Sequence, residues 1–100
     1  MKNIYSITKQ HYKNFAEQIA TSAAGKHYLS DIFSVAEGDV VHRLELSIII
    51  YRDRGSGEVT GISDVWWDCY TIELGEDGEM RLKINNFDFT QLHKQLIGRE

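Results

Sequence analysis

The amino-acid sequence predicts an α+β fold: a four-stranded antiparallel meander sheet flanked by an N-terminal and a C-terminal helix, in the order α-β-β-β-β-α, packed as two layers. Three observations carry this expectation. Near each end of the chain, apolar residues recur at spacings of three and four, the period of a helix with one buried stripe. Between them lie runs that alternate apolar and polar residues, the period of a strand. The runs are separated by short Gly-centred turns, which favour pairing of neighbours in sequence as antiparallel strands. No repeat or linker interrupts residues 1–100, so they are expected to form a single domain.

The first helix is expected over about residues 9–24, with Tyr12, Phe15, Ala16, Ile19, Ala20 and Ala23 on one face. Thr8 is placed to cap it, Ile7 and Tyr12 to staple it, and Gly25 to end it. A strand over about 27–36 puts Leu29, Phe33 and Val35 on one face and Tyr28, Ile32 and Ser34 on the other. Glu37-Gly38-Asp39 reads as a hairpin turn. The next strand, 40–52, sends Val40, Leu44, Leu46, Ile48 and Ile50 one way and Arg43, Glu45, Ser47 and Tyr51 the other. Its run Ile48-Ile49-Ile50-Tyr51 suits a central strand.

The third strand resists simple alternation. Val65, Trp67, Tyr70, Ile72 and Leu74 share a face only if a β-bulge falls near Asp68-Cys69, which leaves Trp66 and Asp68 facing outward; without the bulge, Trp66 points inward between two aspartates. After the turn Gly75-Glu76-Asp77-Gly78, a short edge strand is expected to point Met80, Leu82 and Ile84 inward and Glu79, Arg81 and Lys83 outward. The last helix, about 89–97, has Asp88 as its cap and Phe89, Leu92 and Leu96, with Ile97 a further candidate, as its inward stripe, and Gly98 ends it. If both helices cover one face of the sheet, the other is left partly open.

Composition narrows the function classes. No apolar run is long enough for a signal-peptide core or a bilayer span. Cys69 is the only cysteine, so no intramolecular disulfide forms and a reducing, cytoplasmic setting is expected. The net charge of −4 argues against direct nucleic-acid binding. The charge is uneven. Seven carboxylates and no Lys or Arg lie between Gly55 and Glu79.

Motifs for chemistry are absent. His11, His27, His42 and His93 show no ligand spacing, so the expectation is surface or boundary histidines and no metal. Cys69 reads as a small buried hydrophobe rather than a nucleophile. Gly55-Ser56-Gly57 is neither a nucleophile elbow nor a phosphate loop. No catalytic residue and no cofactor site is therefore expected.

What remains is an acidic-aromatic segment. Asp64, Trp66, Asp68, Glu73, Glu76, Asp77 and Glu79 are the candidate partner-binding residues, with Asp64 and Asp68 flanking Trp66 on one side of a strand. Carboxylates around a Trp anchor could dock on the basic surface of a protein partner. In size, acidity and layout the chain resembles small phage- or mobile-element-encoded proteins that bind and inhibit a host protein. That resemblance implies a non-enzymatic regulator or inhibitor. Two alternatives stand beside it. One is a ligand-binding protein or enzyme with a pocket between helices and sheet. The other is a homodimer on the open sheet face, with Val41, Ile49 and Tyr51 buried.

Overall fold

In the computed structural model, residues 4–97 are described. The element order is α1 (Lys9–Ser22), β1 (Tyr28–Glu37), β2 (Val40–Arg52), β3 (Val59–Leu74), β4 (Met80–Lys83) and α2 (Phe89–Leu96). The four strands form one antiparallel sheet in sequence order, so the α-β-β-β-β-α architecture is as the sequence predicts. Gly98 lies outside the described residues.

Local chemistry sets the boundaries. Thr8 caps α1: its side chain accepts from the His11 backbone N–H, and the His11 ring accepts in return from the Thr8 N–H. This is a capping box with histidine in the place usually held by Glu or Gln. Ile7 and Tyr12, the expected staple, are both buried in the core. Asp88 caps α2 by accepting from the Thr90 N–H at 3.0 Å. Glu37 pairs with Val40, so Gly38-Asp39 is a two-residue loop, and Gly38 takes φ 59° as its first residue. That is the demand of a type II′ hairpin, which only glycine meets without strain.

The even-numbered residues of β2 carry the core. Leu44, Leu46, Ile48 and Ile50 are buried beneath Phe15 and Ile19 of α1 and Leu92 of α2, with Leu29, Phe33 and Val35 of β1 alongside. Both helices therefore pack on one face of the sheet. Trp67 of β3 packs on this side against Phe87 and Phe89, its ring centroid 5.1 Å from that of Phe87.

Three expectations are corrected. The bulge lies at Val65, not at Asp68-Cys69: Ser47 pairs with Trp66 and Ile48 with Asp64. Trp67, Cys69 and Thr71 thus face the helices, while Trp66, Asp68, Tyr70, Ile72 and Leu74 face away. The short β4 follows that register. Leu82 pairs with Ile72 and Met80 with Leu74, so Met80 and Leu82 point away from the core, and Ile84 follows at the same parity. All three are 70% exposed. Ile72 is buried, but on the uncovered side, between Val41 and Leu82 in the register.

Beyond β4 the chain turns back on its own start. Tyr5 forms a parallel bridge with Asn85, and the Asn86 side chain accepts from the Ile7 N–H at 2.7 Å. Asp88 N–H donates to the Tyr12 hydroxyl at 2.8 Å. These bonds anchor both helices to one corner of the sheet.

Urea denaturation checks the assignment of faces. Leu46→Ala is expected to cost about 2–5 kcal/mol by opening a cavity under the helices. Asp88→Ala should cost about 1 kcal/mol through loss of the cap, and Leu82→Ala less than about 0.5 kcal/mol. A Leu82 variant as damaging as the Leu46 variant would reverse the two faces of β4.

Candidate functional site

The acidic-aromatic residues do not form one strip. The bulge at Val65 turns Asp64 to the helix side of the sheet, opposite Ile48. Trp66 and Asp68 face the uncovered side, opposite Ser47 and Glu45. Glu73 sits towards the N-terminal segment and accepts from the Tyr5 hydroxyl. This contact raises the tyrosine's pKa above its ordinary value, because the phenol donates to a carboxylate. Glu76, Asp77 and Glu79 occupy the β3–β4 connection. There the Asp77 side chain accepts from the Glu79 N–H, and Glu79 pairs with Arg81 at 3.3 Å on the surface. Of the seven candidates, only Trp66 and Asp68 lie together on the uncovered face.

They do so on an apolar surface. The uncovered face carries Tyr28, Ile32, Tyr51 and Trp66, each more than half exposed, together with Ile49. Small residues lie between them: Ser30 and Ser47 meet hydroxyl to hydroxyl at 2.8 Å beside Trp66. At the β4 end the face continues through Val41, Ile72 and Leu82. Glu45 and Asp68 stand directly opposite each other near its middle. Like charges in that position repel. Tyr70 donates to Glu45 at 2.7 Å, but among the described residues neither carboxylate forms an ion pair.

The helix side holds a cleft of about 580 Å³ between the ends of both helices and strands β2 and β3. Its walls include Ile19, Ala23, Ile50, Ile62 and Leu96, and its charged residues are Arg52 and Glu58. Arg52 donates to the backbone carbonyls of Ala23, Lys26 and Gly57. Its guanidinium is a brace for the α1–β1 and β2–β3 connections, and no acid–base pair converges in the cleft.

Cys69 is half-buried on the helix side, 3.5 Å from the Asn85 amide nitrogen. Burial pushes its thiol up to about 11. A thiol with so little thiolate at neutral pH is a poor nucleophile.

The histidines are a second departure from expectation. His27 is exposed, but His11 and His42 are buried, 7% and 0% exposed, with ring centroids 4.6 Å apart. Both Nε2 atoms approach one oxygen of Glu37, at 3.3 and 3.0 Å. The His42 Nδ1 lies 2.8 Å from the Thr71 hydroxyl, which accepts from the Asn85 side chain at 3.0 Å. The Thr8 N–H points at the His11 Nδ1, so that nitrogen carries a lone pair and Nε2 carries the proton. Burial lowers the His11 pKa, against the pull of Glu37. Its hydrogen bond to His42 lowers that of Glu37. The residues lie on α1, at the end of β1 and on β2, with no ligand-like spacing that would reveal them in sequence.

Comparison with protein-family models, with curated proteins and with solved structures finds no match to this chain.

Two outcomes follow from these environments. Alkylation of Cys69 in the folded protein at neutral pH should run at least about 100-fold slower than in denaturant, as expected for a buried, protonated thiol. Rapid labelling would indicate an activated thiolate. Because the folded pKa of His11 lies below its ordinary value of 6.5, the unfolded chain binds the proton more readily. Stability from this group is therefore complete above that value and is lost as pH falls. The lowered pKa of Glu37 acts in the same direction, below its ordinary 4.5. In chelator-containing buffer, Tm should fall between pH 7.5 and 5.5 in the native protein, and fall less in His11→Gln. An identical slope in both would remove His11 as the cause.

Proposed function

We propose that this protein is a non-enzymatic protein-binding module that docks its partner on the uncovered face of the sheet. The observation that carries the reading is the apolar, aromatic character of that face. A soluble monomer rarely exposes a contiguous apolar patch beyond a few hundred Å². The accessible surface of 6645 Å² is about 800 Å² more than a monomer of 11.5 kDa is expected to expose. The radius of gyration, 14.8 Å, likewise exceeds the roughly 12.7 Å expected for a compact chain of this length.

The chemistry of the centre of the face supports a basic partner. Trp66 supplies an aromatic anchor of the type that dominates interface energetics. Glu45 and Asp68 set two carboxylates opposite each other beside it, next to Arg43 of the same face, and a Lys or Arg from a partner would find an acidic pair there. A second copy docked face to face over the same centre would bring four carboxylates together, which disfavours self-association there. The role of regulator or inhibitor rests on the likeness of format alone.

The test combines capture and sedimentation. Tag-free protein is expected to sediment near its chain mass and to capture a partner whose binding weakens as salt rises. Trp66→Ser and Asp68→Asn should each lower that affinity by roughly tenfold or more, the loss expected of a central anchor. Asp64→Asn, on the other side of the sheet, should leave it unchanged. A native dimer that Ile49→Lys converts to monomer would assign the face to a second copy instead. Unchanged partner affinity in both Trp66→Ser and Ile49→Lys would remove this face as the binding surface.

A further inference from the structure

We propose that His11, Glu37 and His42 form a binding site for a divalent transition-metal ion, with zinc as the ion that fits best, built where α1 crosses the β1–β2 hairpin. One ligand atom from each residue lies within 4.8 Å of the other two, and it is the Nε2 atoms of both imidazoles that face the Glu37 oxygen. Two of the separations are 3.0 and 3.3 Å. In a tetrahedral zinc site with bonds near 2.0–2.1 Å, ligand atoms stand roughly 3.3 Å apart. The two imidazole–carboxylate separations already match this spacing, and the imidazoles, within 4.8 Å of each other, need only close towards it to take an ion. Two imidazoles and a carboxylate are a donor set that suits zinc and its neighbours in the first transition row, not calcium or magnesium. The imidazoles are buried and Glu37 is exposed, so the carboxylate side gives the ion a way in and leaves room for a fourth, solvent ligand.

The surrounding bonds hold the imidazoles in place. Thr71, itself held by Asn85, fixes the His42 ring through Nδ1 and can accept its proton when Nε2 turns to metal. His11 is different. Its Nδ1 accepts from the Thr8 N–H, so coordination through Nε2 moves the ring proton to Nδ1 and breaks that bond. The loss of half a capping box lowers affinity by roughly fivefold, a small penalty against three ligands. It also gives the site a signature, because metal occupancy must release the Thr8 amide.

The test uses the full chain without a histidine tag, titrated with zinc chloride by calorimetry and followed by thermal melting. One ion per chain, micromolar or tighter affinity and a raised Tm are expected. His11→Gln removes the imidazole yet supplies the glutamine that a capping box accepts. Glu37→Gln removes the charge at an exposed position. Each should weaken zinc binding at least tenfold, as loss of a ligand requires, while His27→Ala and His93→Ala leave it unchanged. In amide-resolved spectra, zinc should shift the Thr8 N–H and speed its exchange. The absence of heat and of any Tm shift at millimolar zinc would overturn the site. So would equal affinity in the native, His11→Gln and Glu37→Gln proteins, or loss of binding in the His27 or His93 variant.

Discussion

Everything in this fold depends on the burial of one side of β2 beneath two short helices. Leu44, Leu46, Ile48 and Ile50 have almost no exposure, and Phe15, Ile19 and Leu92 close over them. The helices are shorter than the sheet they cover. Fourteen residues of α1 and eight of α2 span about 21 and 12 Å, whereas the sixteen residues of β3 run to about 53 Å. The molecule measures 53 Å in its longest direction. Coverage is therefore incomplete in two ways. Along the sheet, a cleft remains where the ends of the helices stop short of the β2–β3 end. Across the sheet, one whole face has no layer over it among the described residues.

A polar line runs beside this apolar core and joins parts that hydrophobic burial alone would leave loosely placed. Asn85 donates to Thr71, Thr71 meets His42, and His42 and His11 share Glu37. From His11 the line continues into the cap of α1. It therefore ties the segment after β4, strands β1 to β3 and the first helix. Buried polar groups are costly unless partnered. Each nitrogen of these two buried rings has a partner, so the line orders the corner instead of weakening it. Tyr12 works in parallel, packing its ring in the core and accepting from the Asp88 N–H with its hydroxyl.

Whatever depends on neighbours in sequence was legible. The two caps, the staple of α1, the glycine turns and the alternation of β1 and β2 follow from local spacing, and the structure places them as read. What depends on pairing across the sheet was not. The direction in which Met80, Leu82 and Ile84 point is inherited from the register of β3, and no local pattern in a four-residue strand encodes it. The histidine cluster was hidden for the same reason. His11 and His42 belong to different elements and converge only because α1 crosses the hairpin whose first strand ends in Glu37. In the acidic-aromatic segment, alternation alone left open which tryptophan is exposed, and Asp64 was misplaced by a bulge that falls one residue after it.

That bulge decides which tryptophan belongs to the core. Ile62 faces the helices opposite Ile50, and strict alternation from there would turn Asp64, Trp66, Asp68 and Tyr70 inward and Trp67 outward. Asp68 would then lie beside Leu44 and Leu46, where a carboxylate without a partner is strongly disfavoured. One extra residue at Val65 reverses the parity, and Trp67, Cys69 and Thr71 enter instead. Trp67 gains Phe87 and Phe89 as ring partners, Thr71 gains His42 and Asn85, and the cost is an exposed Val65. The same reversal puts Trp66 and Asp68 together on the uncovered face and opposes Asp68 to Glu45. A single inserted residue thus completes the core on one side of β3 and creates the aromatic and acidic centre on the other. The polar network and the candidate docking surface are two consequences of one register shift.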